Sequence, residues 1–372
     1  MERIEEDYFD LMYEPLAGSS LSNLLMLLAQ NKFQISIPYL PRFLYALTLS
    51  TIISPFRLKE HIKYDKKIKN TKLSKDPVFI IGHWRSGTTF LHNLLSKDPQ
   101  FGFCSTFHAT LPGVFLGSEE TLKPLLAASI PTTRPMDDVA MGPDLPQEEE
   151  YALANITPYG YYNGWCFPKN MSFYNQIVPI HQQSPKIQQL WKKTYQTFLQ
   201  KLTLYRNGKQ LLLKNPAHTA RIKTILDLYP NAKFIHIHRN PYEIFCSMKK
   251  FMRIVLPRYC VQNPPSIKII EQHIFNVYQS LYKTYLVQKT QIPPQQLIEI
   301  PYESFIQHPL QHLKEIYEHL NLGDFSTVSS QFNEYLSNQK QFKPSSYDLS
   351  TAMKNHIYQH WQFAFDAFHY SK

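Results

Sequence analysis

Apolar positions along the chain follow two alternating patterns. Continuous runs at residues 78–81, 211–213, 234–237 and 297–300 have the unbroken hydrophobicity of strands buried on both faces, and 101–104 is a further short strand. Elsewhere apolar residues return every three or four positions. Examples are Phe90, Leu91, Leu94 and Leu95; Leu190, Trp191, Tyr195 and Phe198; Ile267, Ile270, Ile274 and Val277; and Leu310, Leu313, Ile316 and Tyr317. That spacing lines one face of a helix. Further helices are predicted over 219–228, over 241–251 with Pro241 in the first turn, and over 351–368. Strands alternating with helices predict an α/β fold, a parallel sheet flanked by helices, with ligands at the carboxyl ends of its strands.

Residues 1–75 read as a helical N-terminal prefix packed on a main domain of 76–372. Helices are predicted over 21–28 and 39–53, the second stopped near Pro55. Lysines crowd residues 57–75, either as a solvated helix face or linker or as a contact with a membrane surface or acidic substrate. Six prolines make 112–146 read as a long irregular loop. A helix is expected over 147–155, opening on Glu148, Glu149 and Glu150, and 156–180 reads as aromatic loops.

Composition narrows the classes. Hydrophobic residues make up 43% and charged residues 18%, which is globular rather than disordered. The formal net charge of +10 calls for acidic partners, and a nucleotide, a nucleic acid or a membrane surface would each answer it. Cys104, Cys166, Cys246 and Cys260 form neither a C-x-x-C pair nor a zinc spacing with histidine. That argues against a disulfide framework or structural metal and for a reducing, cytoplasmic setting. The N-terminus is charged where a secretory signal is apolar, and 43–53 is too short to cross a bilayer. No transmembrane segment is expected, though peripheral membrane contact is open.

The candidate chemistry begins where the first strand gives way to a helix, at Gly82-His83-Trp84-Arg85-Ser86-Gly87-Thr88-Thr89. The two glycines allow close backbone approach, and the turn aims amide hydrogens and a helix N-terminus at one point, which suits a phosphate. A nucleotide-hydrolysing P-loop has Lys where Thr88 stands, and the loop's only cation is Arg85. A kinase or NTPase would therefore lack its Lys–magnesium machinery. A non-catalytic polyanion binder would use the charge and the 57–75 run but has no need of this loop. A second signal is Arg239 at a strand end with Ser247 two turns into the next helix, a fork and a hydroxyl suited to another phosphate.

Arg85-Ser86-Gly87-Thr88-Thr89 resembles the 5′-phosphosulfate loop of sulfotransferases that use 3′-phosphoadenylyl sulfate, with Trp84 where that family has Pro. Arg239 with Ser247 resembles the family's 3′-phosphate motif. The resemblance runs from about Pro77 to the C-terminus. It implies a P-loop-type sheet and sulfuryl transfer to a hydroxyl or amine of a small molecule or carbohydrate. It also implies 3′-phosphoadenylyl sulfate as co-substrate, no metal and no nucleic acid. The implied binding residues are Arg85, Ser86, Gly87, Thr88, Thr89, Phe90 (in place of the family's adenine-stacking Trp), Arg239, Ser247 and Tyr302, with Lys343 in a late basic loop.

For the chemistry, cytosolic members of the family end the strand before the 3′-phosphate strand in Lys-x-His. Lys214 matches that Lys as charge stabiliser beside Arg85, but Pro216 stands where the His would be and His218 follows two residues later. His218 suits a base working near neutrality and also reads as a capping residue beside Thr219. Glu150 or Glu148 is the rival, as in the tyrosylprotein and heparan-type members, and His108 and His83 stay open. The segment 156–180 and the prefix are expected to wall the acceptor pocket.

Overall fold

Five short strands give the chain its frame: β1 (Val78–Ile81), β2 (Phe101–Gly102), β3 (Gln210–Lys214), β4 (Lys233–His238) and β5 (Leu297–Pro301). In this computed structural model, which describes residues 11, 14–137, 139–338 and 348–372, they form one sheet in the order β2-β3-β1-β4-β5. Every pairing is parallel. β1, all apolar and wholly buried, lies at the centre: Phe79 pairs with Leu213 on one side and Phe234 on the other. β5 is an edge, and its partly exposed residues and terminal Pro301 fit that position. The predicted strands are thus present to within a residue or two, with 101–104 shortened to two residues.

The chain folds as two compact units. One comprises residues 75–102, 210–249 and 271–372 and holds the whole sheet. Its core joins Val78, Ile80, Leu212, Ile235 and Ile237 to Leu91 and Leu94 of the helix after β1 and to Leu313 and Ile316 of the helix Pro309–His319. Each such side chain buried fully contributes about 1.5–3 kcal/mol. Parallel strands need long crossovers, and the helices Ile222–Leu228, Pro241–Tyr259 and Ile267–Gln288 provide them.

The other unit comprises residues 1–74, 103–209 and 250–270 and is built from helices. The prefix therefore groups with two later stretches of chain. Three expectations are corrected here. The helix expected to stop near Pro55 instead runs Leu40–Asn70 with Pro55 inside it. Side chains on either side of the proline tie it down: Arg42 Nη1 donates to Pro257 O at 2.9 Å, and Arg57 Nη2 donates to Gly18 O at 2.9 Å and Ser19 O at 2.8 Å. Lys201 adds a buried ion pair with Glu60. Tertiary anchoring outweighs the roughly 3 kcal/mol cost of an interior proline. The loop expected over 112–146 contains a helix, Glu119–Ser129, with two acids in its first turn and Glu119 held by Lys123 at 2.9 Å and by Tyr205 Oη at 2.6 Å. Residues 156–180 similarly hold short helical turns rather than loops alone, Asn163–Cys166 among them. Among the described residues no helix is long and apolar enough to cross a membrane.

Candidate active site

Register brings three strand ends together. Ile81 pairs with His236 and Ile80 with Lys214, so the loop leaving β1 starts beside the carboxyl ends of β3 and β4. Its glycines are dictated by that placement. Gly82 has φ of 144°, and a Cβ there would lie 2.2 Å from Ile237 O; Gly87 has φ of 99°, and a Cβ would meet Tyr302 Cδ2 at 2.4 Å. Between them Arg85 holds a left-handed φ of 70°, an uncommon conformation for a residue with a side chain. Side chains hold the loop: Gly82 N–H donates to Thr219 Oγ1 at 2.7 Å, Thr219 Oγ1 donates back to Gly82 O at 3.2 Å, and His83 N–H donates to Tyr282 Oη at 3.3 Å. The helix Thr88–Leu95 starts directly from Gly87. Ser86 Oγ is buried in this turn without a hydrogen-bond partner, an orphaned donor where an anion could receive it.

The two arginines singled out in the sequence meet here. Arg85 Nε donates to Ser247 Oγ at 2.9 Å, and Arg239 Nη1 donates to Arg85 O at 3.2 Å. Arg239 also pairs with Glu243 at 3.3 Å and lies 4.6 Å above the Tyr302 ring, the ring that packs on Gly87. Burial pushes the Glu243 carboxyl up, Arg239 partly opposing it. From β3, Lys214 Nζ donates to Thr89 Oγ1 at 3.4 Å. Arg85, Lys214, Arg239, Ser247, Thr89 and Tyr302 thus belong to one locus. Phe90 packs 5.5 Å from Phe305 at the border of the sheet unit's core. Lys343 lies outside the described residues.

The candidate bases are all enclosed. His218 has no exposed surface, sits in the turn Pro216–Ala220, packs edge-on against Phe79, and has its Nδ1 3.5 Å from Arg221 Nη1. Burial, and then the Arg221 cation, hold its pKa well below the ordinary histidine value. His83 Nδ1 lies 2.8 Å from Trp84 O, and burial lowers its pKa to about 4. In the helical unit, buried Glu150 accepts a hydrogen bond from Tyr161 N–H at 2.6 Å, and Glu148 accepts one from Tyr162 Oη. His108 Nδ1 accepts from Ser105 N–H at 3.0 Å as part of a capping box.

Known proteins decide the class. The family model described as "Sulfotransferase family" matches residues 77–326, more than half of the chain. The chain belongs to the sulfotransferase family. It is 29% identical over 358 residues, covering 95% of this chain and 91% of the relative, to omega-hydroxy-beta-dihydromenaquinone-9 sulfotransferase Stf3 of Mycobacterium tuberculosis. The Stf3 of Mycobacterium bovis matches at the same identity and coverage. Its fold is shared with the crystal structure of sulfotransferase STF1 from Mycobacterium tuberculosis, at TM-score 0.66 and 19% identity over 95% of this chain and 92% of that one. It is shared also with STF9 from Mycobacterium avium, at TM-score 0.63 and 14% identity over 94% and 96%.

Several residues that shape this sulfotransferase's loop carry no local sequence signal. Thr219 reads as a helix start, yet its hydroxyl closes on both backbone groups of Gly82. Tyr282 lies in a helix far along the chain, and its hydroxyl accepts from His83 N–H. Near the C-terminus Tyr370 Oη donates to Glu303 Oε2 at 2.9 Å and lies 3.0 Å from His238 Nδ1, while Glu303 Oε1 accepts from Asn240 N–H at 2.9 Å, directly beside Arg239. Only the fold brings these positions together.

Proposed function

We propose that this sulfotransferase moves a sulfuryl group from 3′-phosphoadenylyl sulfate to the hydroxyl of an apolar small-molecule acceptor. The observation that carries the donor assignment is the contact of Arg85 with Ser247 and of Arg239 with the Arg85 carbonyl, which makes one locus of two anion-binding motifs. The residues fit that nucleotide. The loop amides with Arg85, Ser86, Thr88 and Thr89 would hold its sulfated phosphate, Arg239 and Ser247 would hold its 3′-phosphate, and the flat rings of Tyr302 and Phe90 would contact its adenine. The bound nucleotide supplies an activated sulfuryl group with a good leaving group.

The chain's own residues then do two things. Arg85 and Lys214 offset negative charge that grows on the leaving oxygens, and the rigid loop orients the groups in line. A proton leaves the acceptor hydroxyl. His218 is ill suited to receive it, because imidazolium would form 3.5 Å from the Arg221 guanidinium in a site with no exposed surface. In this reading His218 is a positioning residue of the turn after β3, which leaves Glu150, the carboxylate rival that the family resemblance offers, as the proposed proton acceptor. The hydroxyl and the apolar character of the acceptor rest on the mycobacterial relatives, which are named for an omega-hydroxylated menaquinone. Work in the cytoplasm belongs to the same proposal.

The test is incubation with 3′-phosphoadenylyl sulfate and a panel of ω-hydroxylated isoprenoid, phenolic and sugar acceptors, read by mass spectrometry. A sulfate ester and an equal amount of adenosine 3′,5′-bisphosphate are expected with the isoprenoid alcohols. Sulfation of sugars alone would refute the acceptor assignment.

A further inference from the structure

The helix Leu40–Asn70 has one face that the protein core uses and one that it does not. At about 100° per residue, Phe43, Ala46, Ser50, Ile53, Arg57, Glu60 and Ile68 fall on one side. All are buried but the partly buried Arg57, and Arg57 and Glu60 carry the anchoring contacts to Gly18, Ser19 and Lys201. That side cannot turn outward. On the opposite side Leu40, Leu44, Ile52, Leu58 and Ile62 fall within an arc of about 120°. Their exposures run from 44% to 76%, high for large aliphatic side chains. Ile37, in the turn that leads into the helix, is 86% exposed.

The same arc continues into charge. Exposed Lys59, Lys66 and Lys69 share it, with Lys63 and Lys67 at its flank. The helix's acids offset them only in part: Glu60 is buried with Lys201, which leaves Asp65, 2.8 Å from His61, as the one acid beside five lysines. An apolar stripe passing into a basic one, on a helix too polar to span a bilayer, has the chemistry of an element lying in a membrane interface. Aliphatic side chains enter the acyl boundary while lysines face anionic headgroups. A protein partner would have to supply apolar and acidic surface in that same order along some thirty residues of helix, whereas an anionic lipid surface supplies both everywhere.

We infer that the outer face of Leu40–Asn70 docks this enzyme on an anionic lipid surface. The inference does not rest on the donor or acceptor assignments above. The test is co-sedimentation of the full chain with vesicles of phosphatidylcholine alone or mixed with phosphatidylglycerol, at low and high salt. Binding to the mixed vesicles is expected, with much weaker binding to phosphatidylcholine alone. Lys59→Gln, Lys66→Gln and Lys69→Gln combined should weaken partitioning about a hundredfold, at roughly fivefold per lysine. Leu44→Ser with Ile52→Ser should abolish the part of binding that survives high salt. All five positions are exposed, so circular dichroism and the unfolding midpoint should stay as in the parent chain. Failure of the parent chain to bind mixed vesicles would overturn the inference. So would equal binding by both variants, or a dimer in analytical ultracentrifugation that the Leu44→Ser/Ile52→Ser variant dissociates, which would give the face to a second copy.

Discussion

Arg239 makes the most of its position of any side chain in the site. It donates to the loop's backbone through Arg85 O, pairs with Glu243 and lies over Tyr302, so its guanidinium is held in place by the protein itself. Each hydrogen bond to a charged group contributes about 1.5–3 kcal/mol. Arg239→Ala is therefore expected to weaken binding of adenosine 3′,5′-bisphosphate by about 10–100-fold, and Ser247→Ala by less, because the hydroxyl is a single neutral partner. The proposed proton acceptor and the proposed positioning residue separate by kinetics. Glu150→Gln should lower kcat by about a hundredfold or more, while His218→Asn should cost about tenfold or less. A kcat in His218→Asn that falls as far as in Glu150→Gln would return the base to the histidine. Arg85 in its glycine-bounded loop and Arg239 at a strand end stood out in the sequence itself, whereas Lys214 and Tyr302 stood out only through the family resemblance. The Arg221 guanidinium beside His218 was not legible, because it approaches only once the turn after β3 is folded.

The loop between β1 and its helix owes its shape to contacts from distant parts of the sheet unit. Gly82 and Gly87 could be read from the sequence as points of close approach, but not what approaches them: Ile237 O and the Tyr302 ring. Gly82→Ala puts a methyl 2.2 Å from a carbonyl oxygen at a φ of 144°, so it is expected to destabilise the protein by several kcal/mol and to abolish nucleotide binding. Thr219→Val keeps the shape of the side chain but leaves the Gly82 amide and carbonyl without it. A loss of about 1–3 kcal/mol in urea unfolding is expected, with weaker binding of adenosine 3′,5′-bisphosphate. Unchanged stability in Thr219→Val would show that the clamp is incidental. Element types were legible where periodicity was long and unbroken, as in the strands and the helix Ile267–Gln288. They were misread around Pro55 and Pro124, where tertiary anchors and capping charges override proline's local preference.

Across the whole molecule, buried histidines set the response to acid. Burial lowers the pKa of His83 to about 4 and of His273 to about 3, the second helped by the first. In the unfolded chain both titrate at about 6.5. Between that value and the folded values the unfolded state binds the extra protons, so this stability is fully present above about pH 6.5 and is lost as pH falls through the folded pKa values. Acidification from about pH 7.5 to 4.5 should cost roughly 2–3 kcal/mol per ring, seen as a fall in the urea midpoint, and His83→Asn should flatten the dependence. A midpoint independent of pH over that range would contradict the burial of these rings. The α/β class and the parallel sheet were legible from alternating patterns. The grouping of the prefix with residues 103–209 and 250–270 was not, since no local pattern records packing between segments so far apart along the chain.

The central claim is that one nucleotide is gripped at both ends by Arg85 and Arg239. Isothermal titration calorimetry of adenosine 3′,5′-bisphosphate, without metal, tests it most directly, with ATP–magnesium as the comparison ligand. Tight binding of the bisphosphate, weak binding of ATP–magnesium, and a loss of bisphosphate affinity in both Arg85→Ala and Arg239→Ala are expected. Equal affinity for the two nucleotides, or bisphosphate affinity unchanged in Arg239→Ala, would contradict it.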